Sequence, residues 1–247
     1  MKEAATMVDT VMARPDYGVD APGVVRGLTL GGIAALVLAG AGAWWHAIWP
    51  QTIFGLIGLV LLLEAALMMR NARVGKLRHR DRILDHVEWR GDETVLDVGT
   101  GRGLLLVGAA KRLDTGRGVG LDIWSGKDLS DNGIERTAAN LAVEGVAARC
   151  ELATGAVQNM TFPDGTFDVV VSNLCLHNIR GAEVRAQACN QIARVLKPGG
   201  VAVISDLMFV SRHAKTFREA GMAVTMDGPY LLGVFPPQRI VIAKKPL

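Results

Sequence analysis

Two long stretches of hydrophobic residues dominate the front of the chain. From Gly27 to Leu63 there is no Asp, Glu, Lys or Arg, a longer charge-free run than the core helix of a soluble protein needs. The run divides into two predicted spans, Gly27 to about Trp45 and Ile53 to Met69, separated by the Trp-rich, Pro-containing segment 44–51. The pattern therefore predicts a helical hairpin that crosses a lipid bilayer twice.

Small residues are frequent in both predicted spans. Glycines at positions 27, 31, 32, 40 and 42 of the first span could approach those at 55 and 58 of the second, and such faces could also join copies of the chain into a homo-oligomer. A cleaved signal peptide and a hairpin buried in a soluble protein are the alternatives. A signal peptide starts with a short basic segment, whereas residues 1–20 contain four acidic and two basic side chains.

Basic residues cluster just past the second span, at Arg70, Arg73, Lys76, Arg78, Arg80 and Arg82. Because such clusters mark the cytoplasmic side, we expect a protein integral to the cell membrane with both termini and the domain that follows the spans in the cytoplasm. Glu64 is the one acid inside a span, and we expect it to lean toward the interface and pair with an arginine. Residues 76–89 predict an amphipathic helix, joined to the anchor by a short linker.

The rest of the chain alternates apolar runs with helical segments. The runs at 118–122, 149–153, 167–173 and 200–206 are separated by predicted helices at 130–144 and 182–196. This alternation is typical of α/β domains in which helices cover both faces of a parallel sheet. The chain thus divides into an N-terminal segment (1–23), a transmembrane hairpin (24–70) and an α/β domain (71–247).

Composition narrows the possible partners and cofactors. The net charge is only +3, too small to indicate a nucleic-acid-binding protein, so no nucleic acid is expected. The three cysteines are widely spaced among apolar residues and describe neither a disulfide framework nor a zinc site. No cluster has metal-ligand spacing, so no metal is expected.

Asp97 ends a short apolar run and is followed by glycines at alternate positions, Gly99, Gly101 and Gly103. Glycine permits backbone conformations and close approaches that a Cβ atom blocks. A strand, a bare turn and a helix N-terminus form a cradle of the kind that binds nucleotides, although this spacing is not the G-x-G-x-x-G dinucleotide fingerprint. Asp122 ends the next apolar run, where a second strand would bring an acid to ribose hydroxyls.

These features together resemble the class I, seven-stranded S-adenosylmethionine (SAM)-dependent methyltransferases. The resemblance rests on the turn at 97–103 with Asp122, on segment 162–172 around the predicted fourth strand, and on segment 194–204 leading into the fifth. It implies a doubly wound, mostly parallel, Rossmann-like sheet, a methyltransferase activity and SAM as the cofactor. Such motifs identify a fold and leave the methyl acceptor open.

The resemblance also implies a set of cofactor-binding residues. The glycines would line the methionine part and sugar of SAM, Asp97 would orient the turn and the amino group, and Asp122 would accept from the ribose. The predicted set is Asp97, Gly99, Thr100, Gly101, Gly103, Asp122, Ile123, Gly155, Ala156, Asn173 and Leu174.

One position departs from the family pattern. Ala156 stands where relatives supply an acid to the adenine amino group. We expect SAM binding to be weaker by about 1 kcal/mol, the worth of one hydrogen bond, unless Thr154 or a backbone carbonyl substitutes. Loss of catalysis is the other reading of this change.

Methyl transfer needs a base only when the acceptor arrives protonated. His177, just beyond the predicted fourth strand, is the candidate catalytic base because histidine changes its charge near neutral pH; a histidine that only packs or caps the loop is the alternative. Cys175 is expected to pack, because the reaction needs no covalent intermediate. His213 is expected at the surface, and His46 lies in the turn beyond the membrane.

The passage between Asp206 and the predicted helix at 214–220 is too short for the lid that many relatives insert there. We therefore expect the 76–89 helix and the bilayer to close the mouth of the site. The acceptor would then be a hydrophobic or membrane-soluble small molecule, such as a lipid, quinone, isoprenoid or thiol. The alternatives are a soluble acceptor, with the hairpin serving only localisation, and a non-catalytic SAM-binding scaffold.

Overall fold

The computed structural model describes residues 14–231 and 233–247 of the chain. Most of the predicted N-terminal segment, including Glu3 and Asp9, lies outside the described residues. Two antiparallel helices come first, α1 (Pro22–Trp44) and α2 (Ile48–Arg70), and we call them the hairpin. Both begin about five residues before the predicted spans. They have the length and apolar composition needed to cross a membrane.

Close packing of small residues holds the hairpin together. A Cβ atom on Gly32 would lie 2.8 Å from Leu62, and one on Gly58 would lie 3.0 Å from the carbonyl oxygen of Gly32. Glycine at these two positions therefore sets the distance between the helices. Gly27 and Gly40, which we expected at the same interface, face open space.

The linker predicted between the hairpin and the domain is helical. A π-helical turn (Asn71–Gly75) joins α2 directly to α3 (Lys76–Leu84). Ile83 and Leu84 at the end of α3 are fully buried against the sheet. The chain therefore runs as one continuous helix from the hairpin into the core of the domain, and the stretch that we expected to be a short linker is part of that helix.

The α/β domain contains a seven-stranded sheet. Its elements are β1 (Thr94–Val98), α4 (Leu104–Ala110), β2 (Arg117–Asp122), α5 (Ile134–Val143), β3 (Cys150–Thr154), β4 (Phe167–Asn173), α6 (Ala182–Val195), β5 (Leu196–Asp206), α7 (Val210–Glu219), β6 (Ala223–Tyr230) and β7 (Gln238–Lys244). The strand order in the sheet is β3-β2-β1-β4-β5-β7-β6. Strand β7 runs antiparallel to both of its neighbours, whereas the pairs among β1 to β5 are parallel. The predicted fold class is confirmed.

Buried apolar side chains cover both faces of the sheet. The central strands β1 and β4 consist mainly of buried valines and leucines, as is usual for parallel strands with helices on both sides. The polar residues Asp97, Asp122, Asn173 and Asp206 lie at or next to the carboxyl ends of β1, β2, β4 and β5. In open α/β sheets ligands bind at this edge.

Candidate active site

The turn between β1 and α4, residues 97–103, is organised by one buried carboxylate. Asp97 is 1% exposed, and its Oδ2 accepts hydrogen bonds from Thr100 Oγ1 at 2.8 Å and from the backbone N–H of Leu106 at 2.9 Å. Burial raises the pKa of Asp97 to about 7, and the nearby Asp122 contributes in the same direction. We call residues 97–103 the glycine turn.

Two glycines of this turn cannot carry a side chain. Gly99 has a φ of +70°, and a Cβ there would lie 2.4 Å from Cys175 Sγ. Gly101 has a φ of +53°, and its Cβ would lie 2.9 Å from Leu129. Gly103 differs from the prediction: it does not line the cavity described below, and instead precedes α4 and packs against Thr137.

Asp122 fastens the glycine turn to the end of β2. Its Oδ2 accepts from the N–H of Gly101 at 2.7 Å, and its Oδ1 accepts from the N–H of Trp124 at 2.6 Å. The carboxylate therefore lies beside the turn, at the place where we predicted a contact with ribose. Ile123, the next residue, is 61% exposed and faces the same space.

One large cavity of about 990 Å³ opens beside the glycine turn. Ten of the eleven predicted cofactor residues line it, all except Gly103, and so does His177. Ligand sites of about 300–1,000 Å³ are usual for drug-sized molecules, so the cavity has room for a cofactor and part of a second molecule. The residues that the sequence singled out therefore converge on one site.

The cavity fits SAM in two respects. Gly99 and Gly101 carry no side chain and leave their backbone bare at the cavity wall, and Asn173 presents a buried Oδ1 that has no hydrogen-bond partner among the described residues. A buried amide oxygen without a partner is costly and indicates a ligand that donates to it. An ammonium group such as that of the methionine part of SAM is such a donor.

The cavity has no acid at position 156, where the resemblance implies one that contacts adenine. Gly155 and Ala156 line the cavity as predicted, and Gln158, which the sequence analysis did not single out, lines it two residues later. Thr154, considered above as a substitute, accepts a hydrogen bond from Trp124 Nε1 at 2.8 Å. Gln158 therefore brings a polar side chain to this part of the cavity, whereas Thr154 is engaged by Trp124.

His177 has a carboxylate partner that the sequence analysis missed. Its Nδ1 lies 2.6 Å from Oδ1 of Asp206, whose side chain is fully buried, and its backbone N–H donates to Asp206 Oδ2 at 3.0 Å. A signal for this pair was available, because β4 and β5 are neighbours in the sheet and Asn173 is paired with Ser205. The residues that follow these two strand ends must lie side by side.

The other end of the cavity is formed by the hairpin. Val24 and Leu28 of α1, together with Glu64 and Met68 of α2, line it, as do Met208 and Phe235 of the domain. Of the 76–89 helix, which we expected to close the mouth, only Lys76 belongs to the lining. Within the described residues Glu64 makes no ion pair, so the expected pairing with an arginine is wrong; Arg80 pairs with Asp81 and Arg82 stacks on Tyr230 instead.

Residues 14–21 form a strap across the cavity, which the sequence analysis did not anticipate. Buried Lys76 donates from Nζ to the carbonyl oxygens of Tyr17 and Gly18 at 2.9 and 2.8 Å, and Arg102 lies 2.6 Å from Asp16. Tyr17 OH donates to Glu144 at 2.7 Å. The strap leads directly into α1, so the glycine turn and the hairpin are connected on this side too.

Two further predictions on single residues were tested by the structure. Cys175 packs against Gly99, and burial raises the pKa of its thiol far above the usual range, which leaves it protonated and supports the packing role. His213 is buried rather than exposed, 2% accessible on α7, and burial lowers its pKa. The prediction of a surface position for His213 was wrong because α7 turns that face toward the core.

Comparisons with known proteins agree with this geometry. Residues 95–200 match the protein family described as "Methyltransferase domain". An uncharacterized protein of Haemophilus influenzae is 28% identical over 60% of this chain and 59% of its own length. A ubiquinone biosynthesis O-methyltransferase of Azoarcus sp. is 32% identical over 58% of this chain and 53% of its own length. The chain thus spans less than two thirds of these relatives.

A solved structure shares the fold of the domain. The SAM-dependent methyltransferase of Aquifex aeolicus superposes with a TM-score of 0.55 at 18% identity, over 68% of this chain and 90% of its own. Together these matches show that residues 95–200 resemble a methyltransferase domain and that the α/β part shares the fold of a solved SAM-dependent methyltransferase.

Proposed function

We propose that this chain is a membrane-anchored, SAM-dependent methyltransferase that acts on a hydrophobic or membrane-soluble small molecule. The observation that carries the proposal is the continuity of the cavity, which runs from the glycine turn to the helices of the hairpin. A molecule bound against Val24 and Met68 would share that cavity with a cofactor bound at Gly99 and Gly101. A polar, water-soluble acceptor would gain no affinity from contact with such an apolar wall.

The residues of the cavity divide between the two ligands. In this proposal Asp97, Thr100, Asp122, Ile123 and the residues 155–158 surround SAM, with Asn173 and Leu174 at its methionine end. When bound, SAM supplies an activated methyl group on a positively charged sulfur. The protein then contributes proximity and alignment, which can account for much of the rate.

A proton must leave the acceptor if the reacting atom is a hydroxyl, thiol or protonated amine. With its Nδ1 turned to Asp206, His177 has Nε2 left to receive that proton. The buried Asp206 carboxylate fixes the orientation of the ring and stabilises the imidazolium that forms. We assign His177 as the catalytic base and Asp206 as its positioning residue.

A membrane position is supported by the surface of the hairpin. Large apolar side chains are exposed along both helices, for instance Val37 at 66% and Leu59 at 62%, and three tryptophans at the turn are 75–82% exposed. Water would disfavour such a surface, whereas a bilayer accommodates it and tryptophan prefers its interface. The basic residues at 70–82 favour the cytoplasmic side for the domain.

The acceptor class draws support from one relative and from the lining. The relative from Azoarcus sp. is named for ubiquinone biosynthesis, and a quinone is among the predicted acceptors. The cavity wall on the hairpin side is mostly aliphatic and sulfur-containing side chains. We therefore expect an acceptor from the lipid phase.

Two measurements on the full chain in lipid nanodiscs test the proposal. Calorimetric titration should show SAM binding, and mass spectrometry of membrane extracts incubated with SAM carrying an isotopically labelled methyl group should show a labelled product in the organic phase. No binding at millimolar SAM would defeat the assignment of the cofactor. A labelled product found in the aqueous phase alone would defeat the lipid-phase acceptor and favour the soluble one.

A further inference from the structure

The packing between the two helices of the hairpin changes at one level, from close contact to an open cleft. Gly31 faces Leu61, Gly32 faces Leu62 and Gly58, and Gly58 faces Leu36. These contacts set the antiparallel register, in which Leu28 and Glu64 share one level and Val24 and Met68 the next. Toward the turn between α1 and α2, the glycines bring the helices together. At the level of Leu28 and Glu64 and from there toward the domain, all four side chains line the cavity.

Glu64 is the only ionisable side chain of α2 in this cleft. It is half-buried and lines the cavity, and within residues 14–231 and 233–247 no hydrogen bond or ion pair engages it. It lies six residues before Arg70, which corresponds to about 9 Å along a helix. In the proposed membrane position, a carboxylate this far from the end of α2 and without a partner costs free energy of folding. Acids in such positions usually bind a ligand or carry protons.

We infer that Glu64 binds a hydrogen-bond-donating group, a hydroxyl or an amine, on the acceptor, whose apolar part lies along α1 and α2. This inference rests on the proposed function and narrows its substrate class. An ionised carboxylate only accepts hydrogen bonds, so it selects donors, favours cations and rejects other anions. Neutral molecules without a donor, such as hydrocarbons and fully methylated ethers, would leave Glu64 unsatisfied.

Simple amphiphiles of one chain length can test this without knowledge of the natural acceptor. The probes are dodecylamine, dodecanol, dodecyl methyl ether and dodecanoate, added to the full chain in nanodiscs together with S-adenosylhomocysteine. Apparent affinities follow from the rise of the thermal midpoint with probe concentration. Comparing each probe between protein variants cancels its partitioning into the lipid.

Three variants separate the contributions of charge and of hydrogen bonding. Glu64→Leu removes both, Glu64→Gln keeps an acceptor without the charge, and Leu63→Gln is the matched control because Leu63 is 56% exposed on the outer face of α2. We expect dodecylamine and dodecanol to bind wild type about tenfold tighter than Glu64→Leu. Glu64→Gln should keep the affinity for dodecanol and lose that for dodecylamine, and Leu63→Gln should match wild type.

Other results would overturn the inference. They are equal binding of the donor probes to wild type and Glu64→Leu, tightest binding of dodecanoate, an equal loss for dodecyl methyl ether, or no binding of any probe to wild type. Binding of S-adenosylhomocysteine to each variant reports correct folding, and if Glu64→Leu fails that control then Glu64→Gln alone decides through its dodecylamine result. Failure of S-adenosylhomocysteine to bind wild type would instead defeat the proposed function.

Discussion

The two ends of the cavity are built in opposite ways. At the glycine turn, backbone groups and buried carboxylates form a dense network in which Asp97 and Asp122 each accept at least two hydrogen bonds. At the hairpin, apolar side chains form the wall and Glu64 stands without a partner among the described residues. The first end is held by these hydrogen bonds and is the proposed site of the polar cofactor; the second offers apolar contact area and one polar side chain.

Under the proposed function, this contrast implies that the cofactor and the acceptor are selected by different physical interactions. Polar ligands gain affinity from preorganised hydrogen bonds, whose geometry tolerates little change. An apolar ligand gains it from buried area, which is not directional. We therefore expect substitutions at the glycine turn to abolish binding and substitutions at the hairpin to alter preference.

The largest effect should come from Gly99→Ala. A Cβ at this position would overlap Cys175 Sγ at 2.4 Å, in a left-handed backbone conformation that costs other residues roughly 1–2 kcal/mol by itself. We expect SAM affinity, measured by calorimetry, to fall by about 100-fold or more, because the turn must shift.

The control for Gly99→Ala is Gly145→Ala. Gly145 has a similar φ of +71°, but no atom lies within 4 Å of its Cβ position, so this variant carries the backbone cost alone. The double variant Gly99→Ala with Cys175→Gly should recover part of the lost affinity. Unchanged SAM binding in Gly99→Ala would show that the turn is not as constrained as we describe.

The second largest effect should come from His177→Ala. His177 lines the same cavity as the glycine turn and the hairpin. Loss of a general base typically costs about 10²-fold or more in rate, and we expect this loss in the transfer of the labelled methyl group to organic-phase products. SAM affinity should be unchanged, because the ring is assigned to the acceptor. Asp206→Asn should give a smaller loss, since the base is kept and only its orientation suffers.

A change in SAM affinity with an unchanged rate in His177→Ala would contradict this division of the cavity. Val184→Ala is a suitable control, because Val184 also lines the cavity but carries no polar atom. Its effect on rate measures the cost of altering the wall alone.

The same contrast explains why the sequence predicted the glycine turn better than the hairpin end of the cavity. The glycine turn is encoded by seven consecutive residues, so Gly99, Thr100 and Gly101 could be placed from their spacing. The role of Gly103 toward SAM stays a prediction, since this residue directly precedes α4 and packs against Thr137. The sheet was predictable as well, since the apolar runs and turns of β2 to β5 are local signals.

The hairpin end of the cavity could not be predicted, because its residues come from distant parts of the chain. Val24, Glu64, Met208 and Phe235 meet only after the sheet and hairpin have assembled. The strap was not predicted for the same reason. Lys76 donates to the backbone carbonyls of Tyr17 and Gly18, and because any residue has such a carbonyl, these hydrogen bonds leave no pattern in the sequence. The unbroken helix from α2 to α3 was missed because a polar, basic stretch reads equally as helix or linker.

A third prediction tests the cost of the buried carboxylate at the glycine turn. Burial raises the pKa of Asp97 to about 7, from 3.8 in an unfolded chain. The folded domain therefore binds the proton more tightly than the unfolded one, so this group costs no stability at low pH and costs progressively more as the pH rises from about 4 to 7. Between pH 5 and 7 the loss is about 2 kcal/mol.

Asp97→Asn should remove this dependence. Without SAM, the difference in unfolding free energy between wild type and Asp97→Asn should shift by about 2 kcal/mol against wild type from pH 5 to pH 7, measured by denaturant titration in detergent. Asp114→Asn, at an exposed position beyond α4, controls for the substitution. A parallel pH dependence of wild type and Asp97→Asn would show that the carboxylate is ionised at little cost.

The smallest effect should come from Ala156→Asp, which restores the acid that relatives present to adenine. One added hydrogen bond contributes about 1 kcal/mol, so SAM affinity should rise about fivefold. The same charge placed outside the cavity by Ala147→Asp, in the exposed turn before β3, should leave affinity unchanged. If Gln158 already serves the adenine, Ala156→Asp should gain little while Gln158→Ala loses a similar factor. Either result shows whether a neighbouring residue supplies the hydrogen bond that Ala156 cannot make. A fixed requirement for hydrogen bonds distinguishes this end of the cavity from the hairpin end, where buried apolar area determines binding.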